Sequence, residues 1–293
     1  MKQGVILKGV GGYYTVLYDE DQMCVLKARG KFRAQEQTPW PGDIVRFVPP
    51  EPGVDGAMGE LLPRRNLLLR PRVANVDLLF AVISAQNPPP DYLLLDKLCA
   101  NAIANGIRVV AVLNKCELIQ EQQRQSFLHD YAPFTPLCVS ARAAQGQAEL
   151  QALSSGHICC FAGQSGVGKT SLVNMLLPEK EFQTGALSQK TGRGKHTTRH
   201  AELIRTRSGG MIVDTPGFSL MELPLMEPQQ LMELVPEFIP YVGQCRFTGC
   251  LHHREPGCAV KAAVEGGTIP EARYARYVTL LEQVQHKWRN RYE

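Results

Sequence analysis

Residues 163–170 read Gly-Gln-Ser-Gly-Val-Gly-Lys-Thr and stand between an apolar run at 157–162 and a helical pattern at 170–177. The glycines allow a backbone curl in which successive N–H groups point at one anion, and the positive end of the following helix adds to their field. A lysine in this pattern reaches the outer phosphates of a nucleotide, and the threonine hydroxyl binds Mg²⁺. The stretch therefore predicts a phosphate-binding loop formed by Gly163, Gln164, Ser165, Gly166, Val167, Gly168, Lys169, Thr170 and Ser171.

Strands and helices alternate on both sides of this loop. The apolar run from Asp77 to Ser84 is typical of a buried parallel strand, and Asp91 can cap a helix that ends near Gly106. We expect further strands at 107–113, 136–139, 157–162 and 211–213, and further helices at 117–131, 146–153 and 170–177. This alternation predicts a parallel sheet with helices on both faces.

Residues that can read a purine base follow two of these strands. Asn114-Lys115-Cys116-Glu117 resembles the N-K-x-D element of GTPases, although its acid is one methylene longer than the usual Asp. A carboxylate accepts hydrogen bonds from N1–H and the exocyclic amine of guanine, a pair of donors that adenine lacks. Because Asn-Lys at a strand end is common, this element alone is a weak signal. With the second loop at 139–141, the predicted guanine contacts are Asn114, Lys115, Glu117, Ser140 and Ala141.

Two segments downstream of the phosphate loop complete the pattern. Asp214-Thr-Pro-Gly217 matches the D-x-x-G element, in which the Asp holds Mg²⁺ through water and the Gly N–H contacts the γ-phosphate. The polar stretch 195–199 is a candidate first switch, with Thr198 favoured over Thr197 as the contact to γ-phosphate and Mg²⁺. Together with Thr170 as a magnesium ligand, these residues predict GTP or GDP and Mg²⁺ as cofactors.

The order of these elements is unusual. The base-reading residues precede the phosphate-binding residues, which is the reverse of the Ras-like order. We therefore predict a circularly permuted α/β P-loop GTPase domain, a rearrangement that is tolerable when chain termini lie close together. The permutation places the D-x-x-G element at 214–217, which is the second switch of such GTPases, directly before the C-terminal region. The nucleotide state can therefore be transmitted to that region.

Hydrolysis needs a group that orients water, and the usual glutamine after D-x-x-G is replaced by Phe218. His196 is the nearest candidate, because a neutral imidazole can orient or deprotonate water near neutral pH. An exposed loop histidine without a catalytic role is an equally good interpretation of the sequence.

A cysteine-histidine cluster follows the predicted GTPase domain. Its ligands fit tetrahedral Zn²⁺, and the zinc-deaminase pattern is absent, so we predict one structural zinc ion. The predicted ligands are Cys245, Cys250, His252 and Cys258, with His253 as a less favoured substitute for His252.

The chain of 293 residues is long enough for two or three domains. Short alternating runs predict a β-barrel of the oligonucleotide-binding (OB) type at 1–66, before the permuted GTPase domain at 67–222. Residues 223–293 lack a strand pattern, hold the cluster and end in a helical pattern at 270–291, which predicts a mainly helical zinc-binding domain.

Composition limits the compartment and the class of partner. There is neither an apolar run of the roughly 20 residues that span a bilayer nor a signal-peptide pattern, so we expect a cytoplasmic protein without membrane contacts. The nine cysteines form no compact disulfide framework. The net charge is +4, but six basic residues between Lys190 and Arg207 suit either a polyanion such as RNA or a solvated loop.

The permuted order, the string Gly194-Lys-His-Thr-Thr-Arg-His200, the element 214–218 and the cluster 245–258 closely resemble one family over essentially the whole chain. It is the family of bacterial GTPases that depend on the small ribosomal subunit, called RsgA, YjeQ or YloQ. The resemblance implies a monomeric protein that binds the 30S subunit and its 16S rRNA late in assembly, hydrolyses GTP when stimulated by the subunit, and then leaves. It also implies a catalytic role for a first-switch histidine, here His196.

Two other functions fit parts of the sequence. A metabolic P-loop kinase would share the phosphate loop and would prefer ATP. A nucleotide-gated scaffold would bind RNA with little turnover. An ATP preference would favour the first, and hydrolysis unchanged by small subunits would favour the second.

Overall fold

The N-terminal strands close into a barrel in the computed structural model, which describes residues 1–28, 38–51, 56–69, 71–178, 201–214 and 222–291. Its strand order is β1-β2-β3-β5-β4. Side chains alternate along each strand, so that Ile6, Val16, Leu26 and Phe47 fill the interior. The predicted barrel is confirmed, with strands β1 (Lys2–Val10), β2 (Tyr13–Tyr18), β3 (Gln22–Lys27), β4 (Ile44–Val48) and β5 (Ala57–Leu61).

A six-stranded sheet of order β10-β9-β8-β11-β13-β12 forms the centre of the molecule. All its pairings are parallel except that between β12 and β13. The fully buried strands β8 and β11 lie next to each other, as expected for a sheet covered on both faces. The strands are β8 (Leu78–Ser84), β9 (Arg108–Asn114), β10 (Leu137–Val139), β11 (Ile158–Ala162), β12 (Glu202–Arg205) and β13 (Met211–Asp214).

Helices connect the parallel strands. Asp91 caps the first of them as predicted, since its side chain accepts a hydrogen bond from the Leu94 N–H at 2.9 Å. The helix predicted from residue 117 starts later, because Lys115 is left-handed (φ 61°) and is followed by a short 3₁₀ turn at Cys116–Leu118. The helices are α1 (Tyr92–Ala104), α2 (Glu121–Asp130), α3 (Gln147–Ser154) and α4 (Lys169–Leu176), with a second 3₁₀ turn at Ala132–Phe134.

The C-terminal region is helical, and its described residues 222–291 contain no strand. Leu231, Phe238, Val260 and Leu281 are buried in its own core, which Ala100 of α1 joins. Within the described part of the chain, we find no helix with the length and apolar character that crossing a membrane requires. The elements are α5 (Pro228–Glu233), a 3₁₀ turn at Pro236–Tyr241, α6 (Ala259–Glu265) and α7 (Glu271–Arg289).

Three strands were not predicted from the sequence. β6 (Leu67–Leu69) and β7 (Arg72–Ala74) form a hairpin between the barrel and the sheet, and β12 adds an antiparallel edge to the sheet. Leu7 and Leu17, which point out of the barrel, belong to the same buried cluster as Leu203 and Val213. The barrel is therefore packed on the central sheet through a shared apolar core.

Candidate nucleotide site and metal centre

The loops predicted to hold a nucleotide all leave the same edge of the sheet. Ser84 pairs with Asn114, and Val139 pairs with Asn114 from the other side, so the carboxyl ends of β8, β9 and β10 are in register. β11 and β13 end at this edge too, because both run parallel to β8. In open α/β sheets, ligands bind outside the carboxyl ends of the strands.

The phosphate loop has the backbone that its glycines permit. Gly163, Gly166 and Gly168 have φ values of 152°, 82° and 96°, in the region that favours glycine. A Cβ at Gly163 would lie 2.0 Å from the Val82 carbonyl oxygen, so the loop passes close over β8. Gln164 is half-buried and Val167 is buried, whereas Ser165, Thr170 and Ser171 are exposed around the start of α4.

Lys169 begins α4 and turns back into the loop. Its ammonium donates to the carbonyl oxygens of Gly163 and Gln164, each at 2.8 Å. Burial lowers the pKa of Lys169, because removal from water disfavours the charged form. The loop therefore holds a partly desolvated cation among backbone groups, the electrostatic setting in which an anion binds strongly.

The predicted base-reading segment is in direct contact with this loop. Asn114, which is 1% exposed, donates from Nδ2 to the Val167 carbonyl oxygen at 2.8 Å. Lys115 donates from Nζ to the Gly166 carbonyl oxygen at 2.9 Å. The structure thus brings the segments 114–117 and 163–170 together at one edge, as a single nucleotide site requires.

The second base loop joins the same cluster. Asn114 Oδ1 accepts from the Ala141 N–H at 3.3 Å, so one side chain links three loops. Ser140 is buried and its Oγ accepts from the Ala143 N–H at 3.1 Å. Glu117 is exposed in the 3₁₀ turn that follows Lys115.

The loop that follows β8 is a part of this site that sequence reasoning missed. The Lys115 ammonium also donates to the Asn87 carbonyl oxygen, and Gln86 Nε2 donates to the Leu118 carbonyl oxygen at 3.0 Å. Pro88 lies beside Gly166, 3.5 Å from where a Cβ would stand. A proline-rich segment, Asn87-Pro-Pro-Pro90, directly after a buried strand was the available signal.

Asp214 ends β13 at the same edge and is half-buried. The other predicted switch residues lie outside the described residues: His196, Thr197, Thr198, Gly217 and Phe218. Of the basic residues noted between 190 and 207, Arg205 and Arg207 are described and the rest are not.

The four predicted zinc ligands form a compact cluster, since their donor atoms lie within 4.8 Å of one another. Cys245 Sγ is 3.5 Å from His252 Nδ1 and 3.9 Å from Cys258 Sγ, and His252 Nδ1 is 3.3 Å from Cys258 Sγ. Ligand atoms in a tetrahedral zinc site lie roughly 3.5–3.8 Å apart, given Zn–S of about 2.3 Å and Zn–N of about 2.0–2.1 Å. The cluster therefore fits one such ion, with His252 and not His253 as the nitrogen donor.

Backbone N–H groups support this donor set. Those of His252, Ala259 and Lys261 donate to the sulfurs of Cys250, Cys245 and Cys258, each at 3.4 Å. Burial lowers the pKa of His252, which favours the neutral imidazole that binds metal. Burial also raises the pKa of Cys250 to about 12. The N–H donors favour the thiolate form, and a bound cation would favour it further.

Comparisons with known proteins agree with this geometry. A family profile described as RsgA GTPase matches residues 61–224, and one described as RsgA N-terminal domain matches residues 3–54. A relative in Moorella thermoacetica, named "Small ribosomal subunit biogenesis GTPase RsgA", is 44% identical over 96% of this chain and 97% of its own. One of the same name in Ruminiclostridium cellulolyticum is 41% identical over 97% of this chain and 94% of its own.

Two solved structures are similar over nearly the whole chain. YjeQ from Thermotoga maritima superposes with a TM-score of 0.84 at 34% identity, covering 97% of this chain and 98% of that one. YloQ, described as a circularly permuted GTPase, superposes with a TM-score of 0.83 at 34% identity, covering 98% of this chain and 96% of that one.

Proposed function

The chain belongs to the RsgA GTPase family, and from that premise we propose that it hydrolyses GTP to assist late maturation of the small ribosomal subunit. The names of its relatives indicate that the process is biogenesis of the small ribosomal subunit. The contact of Asn114 and Lys115 with the phosphate loop carries the nucleotide part of the proposal. A kinase phosphate loop does not need a guanine-reading segment bound to it.

We propose that the site holds GTP or GDP along the strand edge. The loop 163–171 surrounds the phosphates, with the Lys169 ammonium on the outer ones. Glu117 accepts from N1–H and the amine of guanine, while the Lys115 stem covers the ring. Because both functional groups of Asn114 already bind loop backbone, its first role is to fix the base pocket, with Ser140 and Ala141 closing it.

Mg²⁺ fits the exposed hydroxyl of Thr170 and, through water, the carboxylate of Asp214. Such an ion would neutralise charge on the β- and γ-phosphates during transfer. We propose Thr198 and Gly217 as the γ-phosphate contacts and His196 as the group that orients water. The sequence pattern and the family resemblance support these three assignments.

We propose one structural zinc ion held by Cys245, Cys250, His252 and Cys258. The donor distances and the N–H groups on the sulfurs support this assignment. With all four positions taken by protein, the ion would leave no open site for catalysis. Its role is to order the turns between the 3₁₀ segment 236–241 and α6.

The partner in this proposal is the 30S subunit, contacted through 16S rRNA by the barrel and by the C-terminal zinc-binding domain, residues 223–293, which we call the zinc module. The protein acts in the cytoplasm as a monomer. Its proposed domains remain 1–66, 67–222 and 223–293.

GTPase rate with and without purified small subunits tests the proposal. We expect the subunits to raise the rate many-fold, because a partner that orders switch residues supplies the positioning on which phosphoryl transfer depends. Lys169→Ala should abolish nucleotide binding or turnover, and normal turnover in that variant would remove the assignment of the phosphate loop.

Matched controls separate the rival functions. Large subunits at equal concentration test whether the stimulation is specific, and ATP as the sole nucleotide tests the kinase alternative. Turnover that is unchanged by small subunits would favour the RNA-binding scaffold. A preference for ATP would overturn the GTPase assignment itself.

A further inference from the structure

A buried network of charges joins α1 of the central domain to α7 of the zinc module. Asp96 on α1 accepts hydrogen bonds from Arg273 and, at 2.6 Å, from Arg276, both on α7. Arg273 continues to Glu237 at 2.6 Å. The side chains of Asp96 and Arg273 are 5% and 7% exposed, so the charges at its centre are removed from water.

Aromatic rings enclose this network. The Tyr131 hydroxyl donates to Asp96 at 2.7 Å, and the Arg273 guanidinium lies 4.9 Å from the Tyr131 ring centroid. Arg276 lies 5.3 Å from the Tyr92 ring centroid. Although burial opposes the charged form, Asp96 and Glu237 raise the pKa of Arg273 above its usual value. Two guanidinium groups thus face two carboxylates in an apolar setting, where removing one partner leaves an uncompensated charge.

The same two helices also bind Glu222, the first described residue after Asp214. Asn101 of α1 donates from Nδ2 to the Glu222 carbonyl oxygen at 2.6 Å, and Lys287 of α7 pairs with the Glu222 carboxylate at 3.0 Å. Leu223 is buried in the C-terminal core together with Ala100 of α1. Glu222 is therefore bound by both helices, and Leu223 beside it is packed in the core that α1 joins.

α1 also starts at the nucleotide edge. Its N-cap Asp91 follows the loop whose Asn87 carbonyl binds the Lys115 ammonium. α1 thus leads from the loop that contacts Lys115 to the charge network. Asp96 makes the buried ionic contact between this helix and α7, and Ala100 one turn further along α1 is packed in the C-terminal core.

We infer that Asp96 is a positioning residue for subunit-stimulated hydrolysis, because its contact with Arg273 and Arg276 holds the zinc module at the angle the subunit must meet. This inference rests on the proposed function. In the described part of the chain, Asp96 bonds to Arg273, Arg276 and Tyr131, none of which belongs to the proposed nucleotide site, so we expect it to act only on the stimulated reaction. Basal turnover depends on the loops at the strand edge and does not depend on this network.

Asp96→Asn tests the inference, with Asp77→Asn as its control. Asp77 is also a part-buried carboxylate in an ion pair, with Arg65, but it lies at the amino end of β8 and away from α7. We expect Asp96→Asn to lower the subunit-stimulated rate about tenfold, a usual size for coupling between sites. Basal rate, GTP affinity and bound zinc should be unchanged, and α7 amides should exchange faster with deuterium. Asp77→Asn should lower thermal stability without changing the ratio of stimulated to basal rate.

A charge-balancing variant separates this role from a general loss of packing. Asp96→Asn leaves two cations facing Glu237, and adding Arg276→Gln restores neutrality, so the double variant should recover part of the stimulation. If Asp96→Asn does not fold, Arg276→Gln alone is measured against wild type and should also reduce stimulation. Equal losses of basal and stimulated rate, or full stimulation despite a loosened α7, would overturn the inference. If small subunits do not stimulate the wild-type GTPase rate, that result would instead contradict the proposed function.

Discussion

At the scale of single residues, Gly168 shows that the phosphate loop and the base-reading segment restrict each other's side chains. Its φ of 96° is accessible to glycine at little cost, and a Cβ there would lie 2.3 Å from Asn114 Nδ2. Asn114 cannot move away without losing its hydrogen bonds to Val167 and Ala141. Gly168 is therefore constrained by the side chain of Asn114 as well as by its own positive φ.

We predict that Gly168→Ala weakens GTP binding by about thirtyfold or more, since strain and a displaced Asn114 each contribute on the order of 1–2 kcal/mol. Gly209→Ala is the control, because Gly209 also has a positive φ of 79° but meets nothing within 4 Å. Its affinity for GTP should stay near that of the wild type. A titration that gives the same Kd for both variants would refute the clash with Asn114.

The sequence allowed candidate residues for this site to be proposed, because residue type and spacing carry the chemistry. Lys169 and Asn114 were found in this way, and the structure brings them to one edge. The sequence could not show that both functional groups of Asn114 bind loop backbone, nor that Asn87 offers its carbonyl to Lys115. Those contacts depend on how three loops meet in space, and backbone carbonyls leave no signature in side-chain type.

At the scale of elements, the unpredicted strands are those whose pairing is decided by tertiary contact. β12 reads Glu-Leu-Ile-Arg, which has no alternation, and it is a strand because the free edge of β13 pairs with it from Glu202 to Arg205. The hairpin of β6 and β7 has three residues on each side, too few for a periodic signal. The long, strongly patterned β8 and β9 were predicted within a residue of their ends.

We expect the turns that carry the four proposed zinc ligands to depend on the ion for their order. We predict that Cys250→Ser loses bound zinc and destabilises α6, because a serine cannot supply the thiolate and the remaining buried donors are left without a cation. Cys24→Ser is the matched control, since Cys24 is a buried cysteine in the barrel, away from the cluster. Elemental analysis should find one zinc per chain in the control and much less in Cys250→Ser. Full zinc in both variants would contradict the ligand assignment.

At the scale of the whole molecule, the barrel and the central domain share a core. Along β1 and β2, Ile6 and Val16 point into the barrel, whereas Leu7 and Leu17 join the cluster around β12 and β13. Ion pairs also cross this junction, between Lys8 and Glu202 at 2.9 Å and between Arg205 and Asp21. Both pairs are substantially exposed, so the apolar contact should dominate the energy of the junction.

We therefore predict that Leu17→Ala lowers the free energy of unfolding by about 2–4 kcal/mol, the usual range for a buried leucine, whereas Lys8→Ala lowers it by less than about 1 kcal/mol. Denaturant midpoints measure both changes. Hydrogen exchange identifies which parts open: in Leu17→Ala, amides of β12 and β13 should exchange faster together with those of β2 and β4, because one core supports both domains. Faster exchange confined to the barrel would mean that it unfolds independently. In that case the apolar core that Leu7 and Leu17 share with β12 and β13 would not make the two domains unfold together.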